Sequence, residues 1–328
     1  MPLPTPDAYN DAIQNARHAF PDPVLAASTV ECNAFGIPKA LGGGFAITYR
    51  VSNSSGRAFA VRCFHKDVRD LQDRYRMIHS CLRAARLSPF VEFEYQQNGI
   101  RVKGIAFPIV KMEWVCGTTL GEYVEHNHGS PQAMERLRRQ FAALEQELAS
   151  KGIAHGDLQN GNVLVEKTQL RLVDYDGMFV TGMLLGNGAE LGHKHFQHPL
   201  RQASDFGPNI DRFSFIVIDM SLRALSLRPD LFKQFSTGEN ILFSANDFAD
   251  PDSSRVFQRL KQIGDSAFQQ SVADFVCVCK ADVKSTPRLT DFLSRREIPK
   301  VPIQKPSAAG TDFSKYIGAL PVVDATSH

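Results

Sequence analysis

The sequence contains none of the signals that mark a membrane or secreted protein. No apolar run approaches the roughly 18 residues that a membrane-spanning helix needs. The opening residues, MPLPTPDAYNDAIQ, have neither a basic segment nor an apolar core, so we expect no secretory signal. The six cysteines form no CxxC pair, and a chain of 328 residues does not need disulfides to hold its core. We therefore expect a soluble protein of the reducing cytoplasm, with no membrane partner.

The sequence also lacks an excess of charge of either sign. It has 37 basic and 35 acidic residues, which give a net charge of +2. This near-balance provides no general attraction to nucleic acid, and we expect no nucleic-acid partner. Apolar side chains, in contrast, are plentiful. Hydrophobic residues make up 43% of the chain, which is enough for one large domain or two smaller lobes.

The hydrophobic pattern changes along the chain and divides it into four parts. Residues 1–27 predict an N-terminal helical extension, in which one helix has Thr5 as its possible cap and ends at the prolines of residues 21–23. Residues 28–116 are rich in strand patterns, whereas residues 117–299 are mostly helical. Residues 300–328 contain three prolines and no clean periodicity, which indicates a flexible tail or linker. We expect an α+β fold with a β-rich lobe, a helical lobe and a ligand-binding cleft where they join.

The β-rich part is predicted to be a sheet with one helix. GFAITYRV and AFAVRCF alternate in polarity and are separated by the turn NSSG. The helix comes next, with Tyr75, Ile78 and Leu82 on one face. Two more strands, FVEFEY and IRVKGIAFPIVKMEWV, follow the helix, and QQNG at residues 96–99 is predicted to turn the chain between them.

The most informative segment is GIAHGDLQNGNVLVEKTQLRLVDYDGMFV. Two apolar strands joined by a polar turn place Asp157, Asn162 and Asp174 at one end of a hairpin. Mg²⁺ prefers hard oxygen ligands, commonly one or two carboxylates plus phosphate oxygens, and a further carboxylate can accept a hydroxyl proton during phosphoryl transfer. Asp176 lies on the same side of the extended chain as Asp174 and is an alternative metal ligand. We interpret His155 as a hydrogen-bonded structural residue.

Several motifs in the chain resemble those of one superfamily. HGDLQNGNVLV resembles the catalytic loop of the protein-kinase-like superfamily in its His-Gly-Asp form, and VDYDG resembles the Asp-Phe-Gly segment. KMEWVCG resembles a kinase hinge, and NIDRFSF resembles the helix with a buried aspartate behind the catalytic loop. The matches follow kinase order along the chain. The resemblance implies a bilobal protein-kinase-like fold, with residues 28–116 as the N-lobe and residues 117–299 as the C-lobe.

The resemblance implies chemical roles for four polar residues. Asp157 would orient or deprotonate the acceptor hydroxyl. Asn162 and Asp174 would hold Mg²⁺, with Asp176 as the alternative ligand. The implied cofactors are therefore ATP and Mg²⁺.

The resemblance also implies a nucleotide site and an internal anchor. Met112 would be the gatekeeper, and Glu113 and Val115 would offer backbone groups to adenine. Asp211 would anchor the backbone around His155.

More narrowly, the chain resembles a bacterial Hanks-type Ser/Thr kinase family. The segments that carry this resemblance are AVRCF, PIVKMEWV, HGDLQNGNVLV, LVDYDGM and FQHP. The partners that it implies are a protein substrate, which can be the chain itself, and proteins resembling a PP2C-like phosphatase and a von Willebrand A-type protein.

The third strand and the helix after it depart from the kinase pattern. Arg62 stands where a lysine normally reaches the α- and β-phosphates, and a planar guanidinium is not equivalent to an ammonium group. The helix has no glutamate before Leu87 to pair with this cation. The expected partner of Arg62 is Asp70, Asp73 or some other group. We expect Arg62 to contact the phosphates.

The glycine-rich loop is also unusual. LGGGFAITY contains Gly42, Gly43 and Gly44, and the absence of side chains permits close backbone approach to phosphate. The final glycine of G-x-G-x-x-G is missing. The prediction of a phosphate-binding loop therefore depends on the position of these glycines directly before a predicted strand. Gly156 replaces the arginine of His-Arg-Asp, which implies that no phosphorylation of an activation loop is needed.

The expected function is ATP- and Mg²⁺-dependent transfer of the γ-phosphoryl group to Ser or Thr hydroxyls. One alternative is a pseudokinase or nucleotide-binding scaffold, because the phosphate-binding lysine and the helix glutamate are both missing. Another is a small-molecule phosphotransferase of the aminoglycoside-kinase type, in which His-Gly-Asp also occurs. The HxHxxH spacing of His193, His195 and His198 could bind zinc, but its position favours a substrate-side loop.

Overall fold

The computed structural model describes residues 2–42, 45–66 and 70–300. These residues form an α+β fold in which an antiparallel sheet precedes a helix-rich second half. No helix in those ranges is both long and apolar enough to cross a bilayer. The predicted tail, from residue 301 onward, lies outside the described residues.

The elements follow one another in a strand-rich first half and a helix-rich second half. The strands are Ser28–Val30 (β1), Ala40–Gly42 (β2), Ala46–Asn53 (β3), Ala58–Phe64 (β4), Phe93–Val102 (β5), Ile105–Glu113 (β6), Thr118–Thr119 (β7), Val163–Glu166 (β8) and Gln169–Leu172 (β9). The helices are Pro6–Ile13 (α1), Ala16–Ala19 (α2), Pro23–Ala26 (α3), Leu71–Ala85 (α4), Leu120–Asn127 (α5), Pro131–Lys151 (α6), Arg212–Leu227 (α7), Leu231–Phe235 (α8), Ala245–Ala249 (α9), Arg255–Lys261 (α10), Ser266–Lys280 (α11) and Leu289–Leu293 (α12). Single turns of 3₁₀ helix cover Lys194–Phe196, Ala203–Asp205 and Val283–Ser285.

The first sheet has the strand order β1-β3-β4-β6-β5, and β2 also pairs with β3. The pairs are antiparallel, so residues opposite each other across a pair point to the same face. Arg62, on the central strand β4, lies opposite Thr48 on one side and Val110 on the other. The backbone of Arg62 is therefore fixed by pairing in both directions.

The turn predicted at QQNG is wrong. Strand β5 runs through those residues with an irregularity between Gln96 and Ile100, and the chain turns at Lys103 and Gly104 instead. Both turn residues have positive φ, 49° and 82°, which suits the tight two-residue turn that joins twisted antiparallel strands. The alternation of IRV before this turn and IAF after it was the stronger signal.

The N-terminal extension is helical, as predicted, but it is three short helices rather than one. The hydroxyl of Thr5 caps α1 by accepting from Ala8 N–H at 3.3 Å, which confirms the predicted cap. Pro23 does not end the helical region. It opens α3, where Asp22 is the N-cap and accepts from two backbone N–H groups. These helices cover one face of the sheet and share a core with it; the buried residues include Tyr9, Ile13, Phe20, Tyr49 and Val61.

Helix α4 covers the other face of the sheet. Its predicted apolar face is confirmed, because Tyr75, Ile78 and Leu82 are all buried. They belong to a core that continues into the second half of the chain, through residues such as Phe141 and Phe215. The sheet thus lies between an N-terminal helical layer and a core shared with the back of the molecule.

The spacing in the second half predicts helices over residues 119–126, 132–151, 211–227 and 267–280. Helices α5, α6, α7 and α11 lie within one residue of those bounds. Helices α6 and α7 pack against each other at the centre of this helix-rich half. Helix α7 is buried nearly all round, as expected of an apolar helix inside a core. Helices α8, α9, α10 and α12 were not predicted, because each spans seven residues or fewer and shows little periodicity.

The predicted strand pair is confirmed as the hairpin β8–β9, which β7 extends to a second, three-stranded sheet. Val163 lies opposite Leu172, so Asn162 and Asp174 lie just beyond the same end of the hairpin. All six cysteines are free thiols, as expected of a chain that needs no disulfide staples.

Candidate functional site

The structure brings Asp157, Asn162 and Asp174 together at the open end of the β8–β9 hairpin. Val173 N–H donates to the Asn162 carbonyl at 3.0 Å and closes this end. The Asn162 side-chain amide donates to the Asp157 carbonyl at 3.0 Å and to Asp157 Oδ2 at 2.8 Å. Sequence spacing therefore placed these three residues correctly, because one hairpin fixes all of them.

The carboxylate of Asp157 is held on both sides. Its Oδ2 accepts from Asn162, and its Oδ1 accepts from the backbone N–H of His193 at 2.6 Å. The residue is half-buried. Each carboxylate oxygen has two lone-pair positions, so Asp157 is oriented by these bonds and can still accept a further proton donor.

The backbone beside Asp157 is anchored from below by Asp211. The buried Asp211 carboxylate, directly before α7, accepts from the N–H groups of His155 and Gly156, the latter at 2.7 Å. Burial raises the pKa of Asp211. The His155 ring donates from Nε2 to the Val173 carbonyl at 3.0 Å. The predicted anchoring role of Asp211 and the structural role of His155 are both confirmed.

Three glycines let the loops around Asp157 approach one another closely. Gly156 has φ of +82°, and a Cβ at this position would lie 1.9 Å from the Gly177 carbonyl oxygen. A Cβ on Gly192 would lie 2.8 Å from the Gly156 carbonyl oxygen and 2.9 Å from Asp157 Oδ1. Glycine at position 156 is therefore required by backbone contact with the DYDG segment.

Arg62 reaches this site from the sheet. Its Nη2 lies 3.0 Å from Asp174 Oδ1 and also contacts Asp176 Oδ2. Only 14% of the arginine side chain is exposed. Burial opposes the charged form, but the two carboxylates outweigh it and raise the pKa of Arg62, so the guanidinium is a fixed cation.

This pairing settles the open question of which acid faces Arg62. In the described part of the chain its partners are Asp174 and Asp176. The candidate Asp73 instead forms a surface pair with Arg76 at 3.3 Å, and Asp70 is exposed before the first turn of α4. Of the three alternatives, Asp70 and Asp73 are wrong because both side chains are exposed to solvent, and the third, some other group, is confirmed.

The two acids of VDYDG have different surroundings. The Asp176 side chain is only 4% exposed, and its carboxylate lies between Arg62 and the hydroxyl of Tyr75. The Asp174 side chain is 30% exposed and contacts Arg62 through one oxygen. Asp174 is therefore the more accessible of the two to a metal ion, and the role of Asp176 as a metal ligand stays a prediction.

Sequence reasoning missed a further acid, Glu190. This half-buried residue has its carboxyl group near Asp157, Asp174 and Asp176. Burial, with the charges of those neighbours, raises the pKa of Glu190 to about 9. Its segment, GNGAELGH, has no periodicity or motif that could have indicated a site residue.

The predicted nucleotide-contacting residues lie along the sheet side of the site. Met112, on β6, is opposite Ala60 and shares a sheet face with Arg62, because positions two apart on a strand point the same way. Glu113 ends β6 and is exposed, while Val115 is half-buried just after it. Their contacts with adenine stay predictions.

The glycine-rich loop is described in part. Gly42 is exposed at the end of β2, opposite Ile47 of β3. Open space surrounds it, because a Cβ at this position would meet no described atom within 4 Å. Gly43 and Gly44 lie outside the described residues, so their predicted role in covering phosphates is untested.

The histidine cluster has structural partners of its own. His195 Nδ1 accepts from Ala245 N–H at 2.9 Å, and His198 bonds the Val278 carbonyl and the Leu200 N–H group. Within the described ranges no three His, Cys, Asp or Glu side chains are arranged to hold a metal ion. The zinc interpretation of His193, His195 and His198 is therefore not supported.

The same observation limits how Mg²⁺ could bind. One carboxylate, Asp174, and the amide oxygen of Asn162 do not form a complete protein cage. Mg²⁺ commonly keeps several waters and takes one or two protein ligands together with substrate phosphates. The residues present fit a metal that arrives with a nucleotide and do not fit a resident structural ion.

The chain matches no protein-family model and no curated protein sequence. Any functional assignment therefore depends on the residues and geometry of the site.

Proposed function

We propose that this protein transfers the γ-phosphoryl group of ATP to a Ser or Thr hydroxyl, and that its α+β fold is the bilobal protein-kinase-like one. The observation that carries the proposal is the convergence of Asp157, Asn162 and Asp174 on one hairpin end, facing the buried cation Arg62. Phosphoryl transfer requires positioning and charge neutralisation more than covalent chemistry, and these groups supply both.

Each of the three hairpin residues has a distinct part in the proposal. Asp157, already oriented by Asn162 and His193, accepts the proton of the acceptor hydroxyl. Asn162 donates from its amide nitrogen to Asp157, so its amide oxygen is left to bind Mg²⁺ beside Asp174. Bound Mg²⁺ would neutralise phosphate charge and orient the phosphates.

Arg62 takes the place of the usual lysine. Its charge offsets the carboxylates of Asp174 and Asp176. Arg62 Nε is buried and has no hydrogen-bond partner among the described residues. A buried donor without an acceptor is unfavourable, and a phosphate oxygen would satisfy it.

An open groove beside the catalytic loop favours a protein acceptor over a small molecule. The groove has a volume of about 480 Å³ and is lined by α5, the loop at Asn160 and Gly161, and the region around α8. Its charged residues are Glu122, Glu125 and Lys233. Because Asn160 and Gly161 follow Asp157 in the same loop, a peptide bound in this groove would lie beside the proposed catalytic carboxylate. The proposed partners remain a protein substrate, including this chain, and the phosphatase-like and von Willebrand A-type proteins.

The test is incubation with γ-labelled ATP and Mg²⁺, comparing the protein with its Asp157→Ala and Asp174→Asn variants. We expect label on the protein or on an added protein acceptor, and loss of label in both variants by a factor of about 10³ or more, because each removes a group needed in the transition state. Asp73→Asn, on the exposed side of α4, is the matched control and should label normally.

Binding separates the alternatives if no label appears. The chain has a single tryptophan, Trp114, between the two proposed adenine-contacting residues, so its fluorescence should report nucleotide binding. Mg²⁺-dependent ATP binding without transfer to protein would favour the pseudokinase, or the small-molecule enzyme if an amino-alcohol becomes labelled. Absence of ATP binding would refute the proposed function.

A further inference from the structure

Helix α4 approaches the site with a phenol where a carboxylate was expected. Tyr75 is 2% exposed, and its hydroxyl donates to Asp176 Oδ1. Its ring is packed against Phe64, Phe93 and Tyr95, with centroid separations of 5.8, 5.6 and 5.6 Å. Aromatic contacts on several sides leave the hydroxyl little freedom to move, so its position is defined by the core.

Asp176 joins three separate elements. One carboxylate oxygen contacts Arg62 of β4, and the other accepts from Tyr75 of α4. Its backbone carbonyl accepts from Arg74, the neighbour of Tyr75, at 2.7 Å. Asp176 therefore connects the strand that carries Arg62, the helix beside it and the segment that carries Asp174.

Asp174 and Asp176 both pair with Arg62, but they differ in their other contacts. Asp176 is enclosed and is bonded to α4. Asp174 is partly exposed, and besides its ion pair it has, among the described residues, only a long 3.5 Å contact with Asp176 N–H. A metal ion that binds Asp174 would compete with Arg62 for that carboxylate. The same ion would leave the enclosed Asp176–Arg62 pair intact.

We propose that Asp176 and Tyr75 are positioning residues for Arg62, and that they replace the glutamate that α4 lacks. Asp176 and Tyr75 hold the Arg62 guanidinium in position to bind nucleotide phosphates. The Tyr75 hydroxyl also couples the position of α4 to the site. This inference rests on the proposed function, because it assigns Arg62 a nucleotide to bind.

The experiment measures the affinity of each variant for Mg²⁺-ATP by the fluorescence of Trp114. Tyr75→Phe keeps the packed ring and removes only the hydroxyl, so it is expected to fold. It should raise the dissociation constant by about tenfold, the scale of a hydrogen bond to a charged group. Tyr95→Phe is the matched control, because that ring stacks on Tyr75 and is expected to leave the affinity unchanged.

A double-mutant comparison separates positioning from a merely structural effect. If Tyr75 acts through Arg62, the Tyr75→Phe change should have no further effect on ATP affinity in an Arg62→Met background. In a protein that turns over, Tyr75→Phe should also raise KM for ATP with kcat nearly unchanged, since it removes a contact made equally in the ground and transition states. Asp176→Asn should weaken binding in the same direction and more strongly.

Different results would reject different claims. If the unmodified protein binds ATP and Tyr75→Phe and Asp176→Asn bind it equally well, the positioning role is overturned and the proposed function stands. Additive effects of Tyr75→Phe and Arg62→Met would also overturn it. If the unmodified protein does not bind ATP, both the proposed function and this inference fail.

Discussion

Two buried ionic clusters in this protein are built on opposite principles. In the helical half, Arg138 forms a two-pronged pair with Asp219, at 2.9 and 3.2 Å, and also contacts Glu135 at 2.7 Å. Asp219 has only 1% of its side chain exposed. In the site, one guanidinium on Arg62 faces two carboxylates at once.

Arg138 also pairs with two carboxylates, but Arg223 lies near Asp219 and adds a second positive charge. The two clusters therefore differ in charge balance. Three nitrogens of Arg138 donate hydrogen bonds, and both oxygens of the buried Asp219 accept one. The helical cluster therefore holds α6 and α7 together and leaves none of these groups free to bind a ligand. The site cluster has another carboxylate nearby, Asp157, and an unsatisfied donor, Nε, on Arg62. A surplus of negative charge beside a partly exposed carboxylate favours binding of a cation.

Breaking the balanced cluster should have the largest effect on stability. Arg138→Met leaves Asp219 buried without its partner, and we expect a loss of about 3–5 kcal/mol in the free energy of unfolding. Urea unfolding measures this. The double variant Arg138→Met/Asp219→Leu is the control and should recover most of the loss, since it removes both charges. A loss below about 1 kcal/mol for Arg138→Met would contradict a structural role for the pair.

Glu190 should make the site cluster sensitive to high pH. A glutamate in the unfolded chain titrates near pH ~4.3. The raised pKa of Glu190, about 9, means that the folded protein retains a proton that the unfolded chain has released. The contribution of Glu190 to the free energy of unfolding is therefore fully present below its pKa in the unfolded chain. It is lost as pH rises through its pKa in the folded protein. Glu190→Gln should be increasingly more stable than the unmodified protein between about pH 5 and about pH 8.5.

The measurement for Glu190 is the urea midpoint of both proteins at the two pH values. Glu147→Gln, on the exposed side of α6, is the matched control and should show no pH-dependent difference. A Glu190→Gln advantage that is the same at both pH values would show that the carboxyl group is already ionised in the folded protein at the lower pH.

The surplus acids should also bind a divalent cation weakly without nucleotide. We expect millimolar Mg²⁺ to raise Tm by a few degrees or less, because only the folded state offers the site. Asp174→Asn should lose this shift. An equal shift in Asp174→Asn would mean that the ion binds elsewhere.

The smallest expected change is the effect of Asp174→Asn on stability. Asp174 is 30% exposed, and Arg62 keeps Asp176 as its partner when the Asp174 charge is removed. We expect a change of about 1 kcal/mol or less in the free energy of unfolding, even though the same variant should abolish the proposed phosphoryl transfer. Unfolding of the same preparation used for the labelling assay tests this. A large loss of stability in Asp174→Asn would show instead that Asp174 stabilises the fold.

The sequence predicted what depends on local pattern. The alternation in AFAVRCF indicated β4, the apolar spacing around Tyr75 indicated α4, and one hairpin fixed the positions of Asn162 and Asp174. These features involve neighbours close in the chain, where strand and helix periods are readable. The turn at Lys103 and Gly104 was missed because QQNG, which is part of β5, has the polar, glycine-containing composition of a turn.

The sequence did not predict what depends on distant neighbours. Arg62 and Asp176 are 114 residues apart, and Tyr75 and Asp176 are 101 apart. No local pattern indicates that a tyrosine on α4 would meet the second acid of VDYDG. Glu190 was missed for the same reason, since the acids near it, Asp157, Asp174 and Asp176, belong to other segments of the chain.

The N-terminal helices have a practical consequence for recombinant forms of this protein. The Tyr9 hydroxyl donates to the Phe64 carbonyl at 2.8 Å, directly at the end of β4, and Lys111 of β6 forms a buried pair with Asp22 at 2.6 Å. A version that starts at residue 28 would lose this layer and leave Tyr49 and its neighbours open to water. Such apolar surfaces promote association between copies. Shortened versions should therefore precipitate, and purification tags at this end are best separated from Pro6 by a spacer.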